Sequence, residues 1–118
     1  MFDHLGVAAT NLEASRRFYS SCLAPLGIKL LEDHSGNDRP GWLVYGTADD
    51  APFLVVSGAS PSFWCAANEP GVSPIHVAFV ANDRTAVDAF YHQGMANGGR
   101  DNGPPGERQA NTPYYAAY

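Results

Sequence analysis

The chain has 118 residues, 45% of them hydrophobic and 16% charged, with a mean hydropathy of −0.22, a size and balance that suit one folded domain with a buried core and exclude global disorder. Seven Lys and Arg stand against twelve Asp and Glu, giving a net charge of −5 and a pI near 5.1, the wrong sign for a surface that neutralises nucleic-acid phosphates or anionic lipid. No apolar run approaches the ~18 residues that a membrane-spanning helix needs, so a cytoplasmic protein without nucleic-acid or membrane partners is expected.

An apolar, partly alternating run over residues 2–9 reads as a first strand. Thr10 with Glu13 offers a capping box, and Leu12, Ser15, Tyr19, Cys22, Leu23 and Leu26 recur at helical spacing until Gly27 supplies a stop. Three further strands are expected over 28–32, 42–45 and 53–56, separated by turn-rich stretches in which His34 reads as a turn residue. A Ser, Pro, Gly and Asn rich connection then runs from Ser57 to Pro74, with an aromatic island at Phe63-Trp64. A strand over 75–81 follows, then a helix capped by Asn82, with Val87, Phe90, Tyr91, Gly94 and Met95 as its buried stripe and Gly98-Gly99 as its end. Cys22 and Cys65 have no Cys or His at metal spacing and read as reduced, inert thiols.

The chain repeats itself at an offset of 72. His4 falls on His76, Ala9 on Ala81, Ala14 on Ala86, Phe18 on Phe90, Tyr19 on Tyr91, Ala24 on Ala96 and Gly27 on Gly99, seven identities in 24 positions where composition alone gives roughly two. Two complete modules would need 144 residues, 26 more than the 118 present, so the second copy is expected to be truncated. The expected fold is α+β, with paired βαβββ modules forming a curved mixed sheet around a cleft. Module one covers about 1–59, a linker about 60–73, and the incomplete module two about 74–118.

Asp3-His4-Leu5-Gly6-Val7 with Phe18-Tyr19, then Pro74-Ile75-His76-Val77-Ala78-Phe79 with Ala86-Val87-Asp88-Ala89-Phe90-Tyr91, resemble the vicinal oxygen chelate superfamily. That superfamily includes glyoxalase I, bleomycin-resistance proteins and extradiol dioxygenases. The stretch Gly98 to Gly103, with Tyr114 to Ala117, is similar to the second module of glyoxalase-like members. The resemblance implies a half-barrel of eight strands around a cleft, with metal ligands from the first and fourth strand of each module. It places His4 and His76 in the two first-strand ligand slots. Strand alternation agrees: His4 shares a face with Gly6 and Ala8, and His76 with Ala78 and Val80, while Leu5, Val7, Val77 and Phe79 turn toward the helices.

The same family pattern calls for a carboxylate on each fourth strand, and here the first module reads Phe53-Leu54-Val55-Val56. Two readings of function therefore stand. One is a lyase, isomerase or dioxygenase that uses one divalent ion, Zn, Ni, Fe or Mn, held by His4 and His76. The other is a metal-free protein that binds or sequesters a small molecule, as the bleomycin-resistance branch does, or a catalytically inactive truncated member. In either case the partner is a small-molecule ligand, with Trp42 and Tyr114, equivalent in the repeat, as candidate ligand-binding residues. A homodimer is expected to cover the open strand edge.

Overall fold

A computed structural model describes residues 2–36, 41–47, 51–58, 75–109 and 113–118. The connection with Phe63, Trp64 and Cys65, and the linker over 60–73, lie outside the described residues. The first module forms β1 (Leu5–Ala8), α1 (Leu12–Leu23), a single 3-10 turn (Ala24–Leu26), β2 (Lys29–Asp33), β3 (Trp42–Gly46) and β4 (Pro52–Ser57). Its four strands make one curved mixed sheet in the order β1-β4-β3-β2, in which β1 runs parallel to β4 and the other pairs are antiparallel. This is the α+β architecture read from the sequence.

Alternation along the strands decides what is buried. Leu43 and Tyr45 of β3, with Leu54 and Val56 of β4, are at most 2% exposed and form the core with Cys22, Leu23 and Ile28. Leu5 and Val7 of β1 pack against the same cluster. Each such side chain contributes roughly 1.5–3 kcal/mol by leaving water, so the sheet is held mainly by its helix-facing rows. A polar clip reinforces the seam: the Arg16 guanidinium of α1 donates to Glu13 at 2.9 Å, to Asp33 at the end of β2 at 2.9 Å, and to the Ser35 hydroxyl.

The helix caps differ by one residue from the sequence expectation. Asn11, not Thr10, caps α1, its side chain accepting the Ala14 N–H at 2.9 Å. In the second module α2 (Arg84–Ala96) is capped not by Asn82 but by Asp83, whose carboxylate accepts the Ala86 N–H at 2.8 Å. Residues 11 and 83 are equivalent under the 72-residue offset, as are Ala14 and Ala86, so the repeat extends to the capping geometry. Gly27 ends the first helical segment with φ +75, a left-handed conformation that glycine adopts without a Cβ clash.

The two helices pack against each other. Gly94, the one buried residue of α2, faces Phe18 and Cys22 of α1. Met95, placed by the sequence in the buried stripe, is 41% exposed because the contact stripe runs through Gly94. A Cβ at position 94 would lie 3.6 Å from Phe18 Cε2 and 3.8 Å from Cys22 Cβ, ordinary packing distances. Gly94→Ala is therefore expected to raise stability by about 0.5–1 kcal/mol, by removing a helix-interior glycine, whereas Gly94→Leu should lower it. Urea unfolding of both variants checks the pair.

The second module departs from the expectation at its first strand. Residues 75–81 form no strand, and β5 (Gly106–Glu107) pairs antiparallel with β6 (Tyr115–Ala116) as a separate two-stranded sheet. In module one the corresponding strand β1 is bonded to β4 and not to any nearer element. Phe79 nevertheless packs against the core and lies 6.3 Å, ring to ring, from Phe53.

Candidate functional site

The face of the sheet turned away from the helices is built in cross-strand rows. Gly6 pairs with Val55, Val55 with Val44 and Val44 with Glu32, while Ala8 pairs with Ser57 and Ser57 with Trp42. Gly6 and Ala8 of β1 are small, Val44 and Ser57 are buried, and Trp42 stands at the far end of the second row, 44% exposed. The candidate ligand-binding residue Trp42 thus sits on the face opposite Leu43 and Tyr45, as the alternation requires.

Two residues to which the sequence reading assigned no chemistry join it. The His34 N–H donates to the Trp42 carbonyl at 2.9 Å, extending the β2–β3 ladder by one pair. The His34 ring then stacks on the Trp42 ring, with centroids 4.5 Å apart and planes 25° from parallel, and its Nε2 lies 2.7 Å from Glu32 Oε2. A register shift between Leu30 and Glu32 makes this possible. Without it Glu32 would share the helix-facing side with Leu30; with it, Glu32 and His34 face away from the helices and Asp33 reaches Arg16 on α1. The Glu32-x-His34 spacing was visible in the sequence, but the bulge that re-aims it was not.

His4 and His76 occupy different surroundings. His4 precedes β1, is exposed, and its Nδ1 lies 2.6 Å from Asp3 Oδ1. His76 is exposed with its ring 5.9 Å from that of Tyr118, and together with Tyr114 it borders a cavity of about 780 Å³ between residues 75–81, α2 and 113–118. His4 and Trp42 do not line that cavity. Tyr114 is 42% exposed, close to the value for Trp42, its equivalent in the repeat. Among the described residues no three of His, Cys, Asp or Glu assemble as a candidate ligand set for a metal.

Electrostatics mark structural roles elsewhere. Hydrogen bonds from the Ser35 hydroxyl and N–H, with the Arg16 guanidinium beside them, hold the Asp33 carboxyl below its ordinary value. A hydrogen bond to Asp88 raises the Tyr115 phenol and ties β6 to α2, at 2.7 Å. Burial pushes the Cys22 thiol up to about 12, so at neutral pH it carries its proton and is no nucleophile. The unfolded chain gives up that proton above the ordinary value near 9, while the folded chain keeps it, so this group's contribution to stability is lost as pH rises from about 9 toward 12. With Cys65 replaced by Ser, a disulfide reagent at pH 8 is expected to leave the native protein unmodified and to label Cys22 once urea unfolds it.

Comparison with known proteins adds the family. The profile of the glyoxalase/bleomycin resistance protein/dioxygenase superfamily matches residues 1–117. The chain belongs to that superfamily. A crystal structure of a glyoxalase/bleomycin resistance protein from Albidiferax ferrireducens is similar to it, with a TM-score of 0.69 and 27% sequence identity over 93% of this chain and 81% of that one. No curated protein matches. Superfamily membership agrees with the first-module sheet, its helix pair and the 72-residue repeat, and it carries no assignment of substrate or metal. No helix among the described residues of this superfamily member is long and apolar enough to cross a membrane.

Proposed function

We propose that this glyoxalase/bleomycin-resistance superfamily member binds a small organic molecule with a planar ring on the sheet face away from the helices, and holds it without metal-assisted turnover. The observation that carries this reading is the half-exposed Trp42 ring, stacked on His34 whose imidazole meets Glu32, on the sheet face that also carries Gly6, Ala8 and Val55. An aromatic plane beside an apolar floor supplies contact area, and the His34–Glu32 pair supplies the few polar groups that orient a ligand. The first-module carboxylate of the family pattern has no counterpart on β4, which reads Phe53 to Val56, and no three-donor set forms among the described residues.

The repeat-equivalent histidines support the competing, metal-dependent reading, and one experiment separates the two. The purified chain is titrated with Zn²⁺, Ni²⁺, Fe²⁺ and Mn²⁺ beside His4→Ala and His76→Ala, and the metal-stripped chain is screened calorimetrically against a library of planar aromatic acids, phenols and heterocycles. The expected result is no stoichiometric metal binding that depends on both histidines, with aromatic ligands bound by the stripped chain. One equivalent of metal, abolished by either substitution, would overturn the metal-free reading and restore a metal-dependent enzyme.

A further inference from the structure

His34, the residue that follows β2, is held from three sides. Its N–H donates to the Trp42 carbonyl at 2.9 Å, its ring stacks on the Trp42 indole, and its Nε2 lies 2.7 Å from Glu32 Oε2. Its chain neighbours are fixed as well: the Ser35 N–H donates to Asp33 Oδ1 at 3.0 Å, and the Arg16 guanidinium of α1 bonds both residues. A surface histidine with one carboxylate nearby is usually a solvated pair of little energetic weight. Here the backbone bond, the stacking and the side-chain contact agree on one ring orientation, while the side chain keeps 41% of its surface in water.

That orientation decides which ring nitrogen carries the proton. An ionised carboxylate only accepts, so the nitrogen that meets Glu32 is the donor and Nε2 holds the hydrogen. In the neutral imidazole the other nitrogen, Nδ1, then presents a lone pair. The bond to Glu32 is the one side-chain hydrogen bond of His34 among the described residues, which leaves that lone pair open to a ligand. It lies in the ring plane, 25° from the plane of the indole, so a donor reaches it edge-on from a molecule lying flat along Trp42.

We propose that His34 Nδ1 is the specificity-determining acceptor of this face, selecting flat aromatic molecules that carry an N–H or a phenolic O–H over their methylated counterparts and over aromatic carboxylates. The inference rests on the Trp42 binding face put forward above and names the class of ligand which that face takes. A methylated ring offers no proton, so its binding leaves the acceptor covered and unmatched. A carboxylate sets lone pairs against the Nδ1 lone pair and brings a second negative charge beside Glu32, so hydrogen-bond polarity and charge both oppose it. Glu32 is a positioning residue, acting on the ligand only by keeping the proton of His34 on Nε2.

Calorimetry on the intact chain at pH 8, above the range in which a free imidazole titrates, tests this. The probes are indole against 1-methylindole, 2-naphthol against 2-methoxynaphthalene, and 2-naphthoate. The parent is expected to prefer each donor over its methylated counterpart at least about fivefold, and to bind 2-naphthoate more weakly than 2-naphthol. His34→Phe keeps a ring beside the indole and is expected to bind both members of a pair alike. In Glu32→Gln the amide can donate to Nε2, which moves the imidazole proton to Nδ1, and the preference is expected to vanish or to turn toward 2-naphthoate; loss of packing alone produces no such change. Equal affinity for both members of each pair in the parent, a preference that survives in His34→Phe or in Glu32→Gln, or tightest binding of 2-naphthoate by the parent overturns the proposal and leaves the Trp42 face standing as a binding surface. Absence of binding by every probe removes that face and the proposal together.

Discussion

Replacing Tyr45 by alanine is expected to remove about 3–5 kcal/mol of folding stability, the usual range for deleting a large, fully buried aromatic side chain. Tyr45 is fully buried in the middle of β3, between Leu30 of β2 and Leu54 of β4. Its ring lies 6.0 Å from that of Tyr19, and its hydroxyl is 3.1 Å from Ser20 Oγ, so it joins the sheet to α1 by packing and by a hydrogen bond. A domain of this size has only about 5–15 kcal/mol in total, which places the variant close to unfolding. Tyr45→Phe keeps the ring and loses only the hydroxyl contact, with an expected cost of about 1 kcal/mol. Urea denaturation of the parent and both variants measures the two costs, and a loss below about 1 kcal/mol for alanine would show that α1 is not seated on the sheet through this residue.

Trp42→Ala is the functional counterpart. Ligands found in the calorimetric screen are expected to lose at least about tenfold in affinity, because an exposed aromatic platform commonly carries more than ~1.4 kcal/mol of a small interface's binding energy. Folding should be affected far less than by Tyr45→Ala, since Trp42 keeps 44% of its surface in water. His34→Gln removes the stacked imidazole and its contact with Glu32 while leaving the indole in place, and a smaller loss is expected. Calorimetry reads all three proteins without relying on indole fluorescence. Full retention of affinity in Trp42→Ala would move the binding site away from this face.

Much of the architecture was legible because it depends on short-range chemistry. The spacing of Leu12, Tyr19, Cys22 and Leu23, the stop at Gly27, and the alternation through Leu43-Val44-Tyr45 and Leu54-Val55-Val56 each leave a local pattern, and the structure follows them to within a residue or two. The one-residue errors at the caps arose because Thr10 and Asn11, or Asn82 and Asp83, are adjacent residues that can all accept a backbone N–H; the start of the first helical turn decides between them. The opposing faces of Trp42 and Leu43 followed from period two alone.

The local pattern did not reveal which strands are neighbours. Residues 75–81 have as good a strand sequence as residues 5–8, yet only the latter form a strand, bonded to β4. The bulge between Leu30 and Glu32 is set by pairing with β3, and it alone brings Glu32 and His34 to the side of Trp42. His4 and His76, alike in sequence, meet different neighbours, Asp3 in one case and Tyr118 in the other. By itself, then, the sequence determined the helices, the alternating faces, the repeat and the superfamily, since these rest on periodicity and on residues close in the chain. Strand pairing, the Glu32–His34–Trp42 cluster and the cavity of the second module were decided by the tertiary structure, because hydrogen bonds between distant segments choose partner and register, and register decides where each side chain points.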